Sequence, residues 1–172
     1  MAKEVFWCSS CLNMSTRPRI TFDQEGRCNA CQWSDEKKTF NWKEREEELK
    51  KNLKKYTNAS DNYKVIVPVS GGKDGSYIAH KLKSDYGVEP LCVTVRPPLE
   101  TKIGQENVYN FVSSGFSHVH VSPDEEAMAA LNKYGFIEKG FPYYGWLICI
   151  HTAVLQIAKT VSYTHLRAHE TV

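Results

Sequence analysis

The chain has 172 residues, enough for one ordinary domain and a small module. Hydrophobic residues make up 41% and charged residues 24%, which excludes an intrinsically disordered chain, and a net charge of +2 gives no reason to expect nucleic acid. No apolar stretch approaches the ~20 residues of a membrane span, because "YYGWLICIHTAVLQIA" carries His151 and Gln156.

The opening "MAKEVFWCSS" lacks the basic region and apolar core of a secretory signal, so the cytoplasm is the expected compartment. Thiols stay reduced there, and paired cysteines favour metal over disulfide. Cys8 and Cys11 form one C-x-x-C, Cys28 and Cys31 another, with sixteen residues between the pairs, a spacing that reads as a zinc site. Two residues between thiolates let a tight turn aim both sulfurs at one ion, and two such turns complete a tetrahedron of ~2.3 Å bonds. Four thiolates fill the sphere, so a structural Zn2+ is expected. A redox pair or free thiols is the competing reading. "RITF" and "GRC" read as two short strands of a ribbon, turned at Gly26.

"NWKEREEELKKNLKKY" sets Leu49, Leu53 and Tyr56 on one face, with Glu46–Lys50 and Glu47–Lys51 spaced as supporting pairs, which predicts a connecting helix. Its charge run reads as a solvated face rather than a polyanion-binding surface. "TNASDN" then breaks the pattern and marks a boundary.

From Tyr63 the texture becomes α/β. "KVIVPVS" is a buried-strand run, and "SYIAHKLKSDYG" is a helix with Ile78, Ala79 and Leu82 on its packed face, stopped at Gly87. "PLCVTV" and "SHVHVS" are further strands, separated by the helix "GQENVYNFVSSG". Ser122, Pro123 and Glu125 have the spacing of a capping box for the next helix. Such alternation predicts a parallel, helix-covered sheet whose ligands sit at the carboxyl ends of the strands, where residues 70–76 fall. His118 and His120 alternate on a strand and can share one face, His151 lies in an apolar helix, and His165 and His169 have helical i,i+4 spacing. With no third ligand nearby in sequence, all read as solvent or packing histidines.

The turn "PVSGGKDGSY" asks for a phosphate. Gly71 and Gly72 allow backbone N–H groups to close around oxygens without Cβ collisions, and the following helix adds its unpaired N–H groups and positive end. Lys73 can supply charge, and the hydroxyls of Ser70 and Ser76 further hydrogen bonds. Asp74, repelled by bare phosphate, makes sense beside Mg2+ or as an orienter of the loop. Neither G-x-x-x-x-G-K-[ST] nor G-x-G-x-x-G occurs.

The pattern S-G-G-x-D-x-S, set between strand and helix, resembles that of the PP-loop ATPases, which split ATP into AMP and pyrophosphate. Gly75 stands where many members carry serine. The combination of "CSSCLNMSTRPRITFDQEGRCNAC", "SGGKDGSYIAHKLKSDYG" and "VTVRPPLETKIGQENVYNFVSSGFSHVHVSP" is similar to the N-acetyl sugar amidotransferases of bacterial surface-polysaccharide and nonulosonic-acid biosynthesis, over about residues 5–160. The resemblance implies an α/β fold: a partial parallel sheet of the PP-loop (HUP-like, adenine nucleotide alpha hydrolase-like) type, with helices on both faces, preceded by a small zinc ribbon. It divides the chain into a zinc-ribbon module (1–42), a connecting helix and linker (43–60) and the N-terminal part of an ATP-binding domain (61–160).

It further implies conversion of an acetamido group to an acetamidino group through an adenylylated amide. Ser70, Gly71, Gly72, Asp74, Gly75 and Ser76 would hold the ATP phosphates. Lys73 joins them where its side chain turns inward, and Asp74 and Lys73 are the candidate catalytic pair. Thr94 and Val95, ending the second strand, would meet adenine or ribose. The cofactors are ATP, Mg2+ and structural Zn2+, and the substrate is a free or nucleotide-linked sugar. A glutaminase needs a nucleophilic cysteine on an elbow or at the mature amino terminus, but Cys92 lies in a strand, Cys149 in an apolar helix, and residue 2 is alanine. The resemblance supplies ammonia from a separate glutamine amidotransferase subunit. The final "VSYTHLRAHETV" (161–172) departs abruptly in texture and resembles translated adapter read-through, so the expectation is a fragment ending near residue 160, with its first strand an open edge beside exposed apolar surface.

Two other functions fit parts of the pattern. A tRNA-thiolating enzyme shares the loop and paired cysteines, but needs further reactive cysteines near the loop and a basic, aromatic tract for RNA that is missing here. A zinc-ribbon and nucleotide-binding module without turnover is the other.

Overall fold

The computed structural model describes residues 4–56, 63 and 65–161. The expected boundary at "TNASDN", the side chain of Tyr56, the pair His165 and His169, and all but the first residue of the C-terminal segment lie outside the described residues. The chain divides into two units, Met1–Leu49 and Lys50–Val172.

In the first unit the expected ribbon pair "RITF" and "GRC" is reduced to one antiparallel bridge, Phe22↔Cys28, and a second bridge, Trp7↔Met14, joins residues that the sequence does not mark as strands. The second cysteine pair instead opens a helix, α1 (Asn29–Thr39), which the sequence reading missed because it buries no residue and so has no apolar stripe. Arg27 ties the knuckle to this helix through a 2.5 Å ion pair with Asp35, which also meets Lys38 at 2.7 Å. The Trp33, Phe40 and Trp42 rings meet edge to face, with centroids 5.8 and 5.6 Å apart. The predicted connecting helix is α2 (Trp42–Tyr56).

The second unit alternates β1 (Val65–Pro68), α3 (Lys73–Tyr86), β2 (Pro90–Val95), α4 (Lys102–Ser113), β3 (Ser117–Val121), α5 (Glu125–Lys139) and α6 (Tyr144–Thr160). The strands are parallel in the order β1-β2-β3, with Val67 beside Cys92 and Cys92 beside His118. Every residue of β2 is buried, as a strand covered on both faces must be. Alternation sends Cys92 and Thr94 to one face. There Val67, Val69, Cys92, Ala79, Leu82 and Phe111 form the core between sheet, α3 and α4, with Leu53 and Phe116 at its margin. Leu91, Val93 and Val95 point the other way, where α6 packs on β1 and β2 with Val154 and Ala158 buried. α5 packs against α6. Among the described residues β1 pairs with β2 alone, and no helix is long and apolar enough to cross a membrane.

Three local expectations are corrected. Ile78 faces solvent, and the packed stripe of α3 is Ala79 and Leu82. α4 begins at Lys102, earlier than its apolar pattern suggested, because Thr101 caps it by accepting from the Gly104 N–H at 3.1 Å. The cap of α5 is Asp124 rather than Ser122, with its carboxylate accepting from the Ala127 N–H at 2.8 Å. Backbone pairing between the strands runs on to Arg96 N–H and Val121 O at 2.8 Å, so Ser122 and Pro123 are used in leaving the sheet.

Candidate functional site

The glycine-rich turn leaves the carboxyl end of β1 from a firmly held base. Val69 donates its N–H to the Val93 carbonyl at 2.9 Å, and the Val69 carbonyl accepts from the Thr94 hydroxyl at 2.8 Å. Gly71 has φ +74°, and a Cβ there would stand 3.0 Å from both Asn107 Cβ and Val108 N. The turn therefore lies against α4 with room for glycine only. Gly72 caps α3 without any side-chain hydrogen bond, so the first-turn N–H groups are free of a local carboxylate or hydroxyl cap. Gly75 sits over the strand end: a Cβ there would be 2.7 Å from Pro68 O and 3.3 Å from Val69 Cγ1. It can offer a ligand only its backbone.

Ser70 is exposed beside Gly72, and Ser76 donates its hydroxyl to Gly72 O at 2.8 Å, leaving lone pairs but no free proton. Lys73 and Asp74 are solvent-exposed and paired, Nζ to Oδ1 at 2.5 Å. An uncapped helix start behind a turn with positive φ is a ready receptor for an oxyanion. An exposed carboxylate next to it is a hard oxygen donor of the kind that Mg2+ takes.

Thr94 and Val95 are both buried. Thr94 Oγ1 stands 2.8 Å from His118 Nε2 as well as from the Val69 carbonyl. The hydroxyl has one proton and a carbonyl can only accept, so that proton goes to Val69 and His118 Nε2 carries the hydrogen of the second bond. The Val95 carbonyl accepts from the Trp146 indole at 3.5 Å. A base or ribose at this strand end would meet backbone rather than these two buried side chains. His118 and His120 share a face as expected, with ring centroids 6.1 Å apart, and burial followed by the His120 charge lowers the His118 pKa. The Thr94–His118 bond depends on the β2–β3 register, which no local motif reveals.

The four cysteines come together. Tetrahedral bonds of ~2.3 Å set sulfurs about 3.8 Å apart. The Cys8–Cys31 and Cys11–Cys28 sulfurs stand 3.9 and 3.6 Å apart, and all four lie within 4.8 Å of one another. These cysteines can hold a metal ion such as zinc, and the donors around them suit thiolates. Cys28 N–H and Ser10 N–H point at Cys8 Sγ from 3.1 and 3.4 Å, and the Asn13 amide at Cys28 Sγ from 3.4 Å. Burial raises the Cys8 thiol, yet those N–H groups outweigh it and leave its pKa lowered. Asn13 foremost, with the Cys31 backbone, brings Cys28 down to about 6, while the adjacent Cys11 sulfur and burial push Cys31 up to about 12.

No protein-family model and no curated protein matches this chain.

Cys92 is fully buried in β2, and its thiol is pushed up to about 11 by burial, a poor nucleophile. Cys149 is half-buried on α6, and His151 of the same helix is exposed.

Proposed function

We propose that this chain binds ATP for an amidotransferase that converts the acetamido group of an N-acetyl sugar, free or nucleotide-linked, into an acetamidino group with ammonia from a separate glutaminase. The carrying observation is the turn from β1 to α3: a clamped strand end, a glycine at φ +74° beneath α4, and an uncapped helix start. This is what a triphosphate needs from a protein backbone.

In the reaction the amide oxygen attacks the α-phosphorus of ATP and pyrophosphate leaves. Ammonia adds to the amide carbon, and AMP departs with the former amide oxygen, giving the amidine. The backbone N–H groups of residues 71–75 would hold phosphate oxygens, with Lys73 turned inward as a counter-charge. Asp74 would hold Mg2+ through its carboxylate once Lys73 releases it, a small cost for an exposed pair. Catalysis is then positioning and charge neutralisation, and the scheme requires no conspicuous general base. The four cysteines would hold structural Zn2+. The buried Cys92 thiol counts against the sulfur-transfer alternative.

The decisive experiment supplies the purified chain with Mg-ATP, ammonium chloride and a panel of N-acetyl sugars and their nucleotide conjugates, with tRNA as a parallel substrate. Sugar-dependent release of AMP and pyrophosphate in equal amounts supports the reading. Release with tRNA alone, or failure to bind ATP at all, sinks it.

A further inference from the structure

A cavity of about 260 Å³ opens at the carboxyl end of β2 against the first turns of α5. Pro97, Pro123 and Met128 give it an apolar wall, and its polar groups are Arg96, Glu125 and Asn132. None of residues 70–76 lines it. Ligands of open parallel sheets collect at this end of the strands. The volume falls below the ~300 Å³ at which drug-sized pockets begin, so the occupant is small.

The polar groups are unequal. Arg96 is anchored at its own backbone by the 2.8 Å bond to the Val121 carbonyl, and its guanidinium pairs with Glu125. The Arg96 side chain is 35% exposed and that of Glu125 80%, so the cation is the more sheltered partner and the carboxylate, although it lines the cavity, is open to solvent. Asn132 spends its side-chain carbonyl on the N–H groups of Gly145 and Trp146, at 2.9 and 3.4 Å. That leaves its –NH2 as a donor. Without Glu125, the cavity presents donors from Arg96 and Asn132 beside flat hydrocarbon.

We propose that this cavity binds a small molecule bearing a carboxylate or phosphate, which takes the Arg96 guanidinium from Glu125 while its apolar face rests on the prolines. The planar fork of arginine matches both oxyanions in two-pronged fashion, and an exposed ion pair is easily displaced. The site is independent of the amidotransferase reading, since it requires neither ATP nor the loop.

The test titrates glucose 1-phosphate, glucuronate and uncharged glucose into the full chain and follows the Asn132 side-chain amide and Arg96 guanidinium resonances by NMR. Glucose 1-phosphate or glucuronate is expected to bind, whichever is favoured naming the oxyanion, and glucose is not. Glu125→Gln removes the internal competitor and should tighten binding by about two- to five-fold, a gain that misfolding cannot produce. Arg96→Gln should abolish it. Absence of binding even in Glu125→Gln, unchanged affinity in that variant, binding retained in Arg96→Gln, or equal response to glucose overturns the proposal.

Discussion

Gly75 and the Pro68 carbonyl approach so closely that a Cβ on the glycine would stand 2.7 Å from the oxygen. The first turn of α3 is thereby seated on the end of β1, and position 75 is closed to any side chain. Gly75→Ser should lower stability by about 1–3 kcal/mol, since the nearest obstructing atoms, Pro68 O and Val69 Cα at 2.7 and 3.2 Å, are backbone. Gly72→Ala, whose Cβ would meet only Ser70 Oγ at 3.4 Å, should stay within about 1 kcal/mol of wild type. Urea unfolding of the two variants checks both. Equal midpoints would show that this helix does not press on the strand.

The hydroxyl of Thr94 joins His118 to the carbonyl at the base of the loop. Thr94→Val leaves a buried carbonyl and a half-buried imidazole without that partner and should cost about 1–3 kcal/mol, while Thr94→Ser should recover most of it. The pH dependence follows from the lowered His118 pKa. The unfolded chain takes up the proton near 6.5 and the folded chain only lower. This histidine's contribution is therefore complete above that value and is lost as pH falls through the folded value. Wild type should lose stability between pH 8 and pH 5.5 beyond what His118→Gln loses, because glutamine keeps a donor there and does not titrate. Parallel pH profiles of the urea midpoint would show otherwise.

What could be read in advance was whatever the chain states locally. The cysteine spacings state tetrahedral geometry outright, and S-G-G-K-D-G-S between an apolar run and a helical one states a turn with an open helix start. α1 was missed because a helix that buries nothing leaves no period to detect. The capping-box spacing at Ser122 was real, but the sheet's backbone pairing reached Val121 and shifted the cap to Asp124. The Thr94–His118 bond and the Arg96–Glu125 pair join segments 24 and 29 residues apart. Both depend on the parallel register of β2 and β3, which is a property of the assembled sheet.

If the four cysteines hold zinc, removing it should act on the first unit. Bound zinc contributes folding energy outright in small cysteine modules, on the order of 10 kcal/mol apparent. The expected outcome is one zinc per chain by elemental analysis, and release only when all four thiols are titrated. Dipicolinate should collapse the amide dispersion of residues 4–40 while the β1–β3 amides keep their shifts. Cys28→Ser should do the same without chelator. Full dispersion in a zinc-free preparation would mean that hydrogen bonds and the Arg27–Asp35 pair hold the knuckles unaided.

The loop can be dissected because its residues differ in what else they do. Asp74 is exposed and its carboxylate pairs with the equally exposed Lys73, so Asp74→Asn should leave the urea midpoint within about 0.5 kcal/mol of wild type. If Asp74 holds Mg2+ at the phosphates, the same change should cut sugar-dependent AMP release by about 100-fold or more and weaken ATP binding in magnesium far more than in its absence. Gly71→Ala acts differently. It places a Cβ 3.0 Å from Asn107 Cβ and Val108 N at φ +74°, so stability and nucleotide binding should fall together, with or without magnesium. Fluorescent-ATP titrations with and without Mg2+, run beside the unfolding curves, separate the two. If Asp74→Asn binds ATP equally well in both conditions, the carboxylate is no metal ligand, and the division of labour drawn for this turn fails even where the turn itself still grips phosphate.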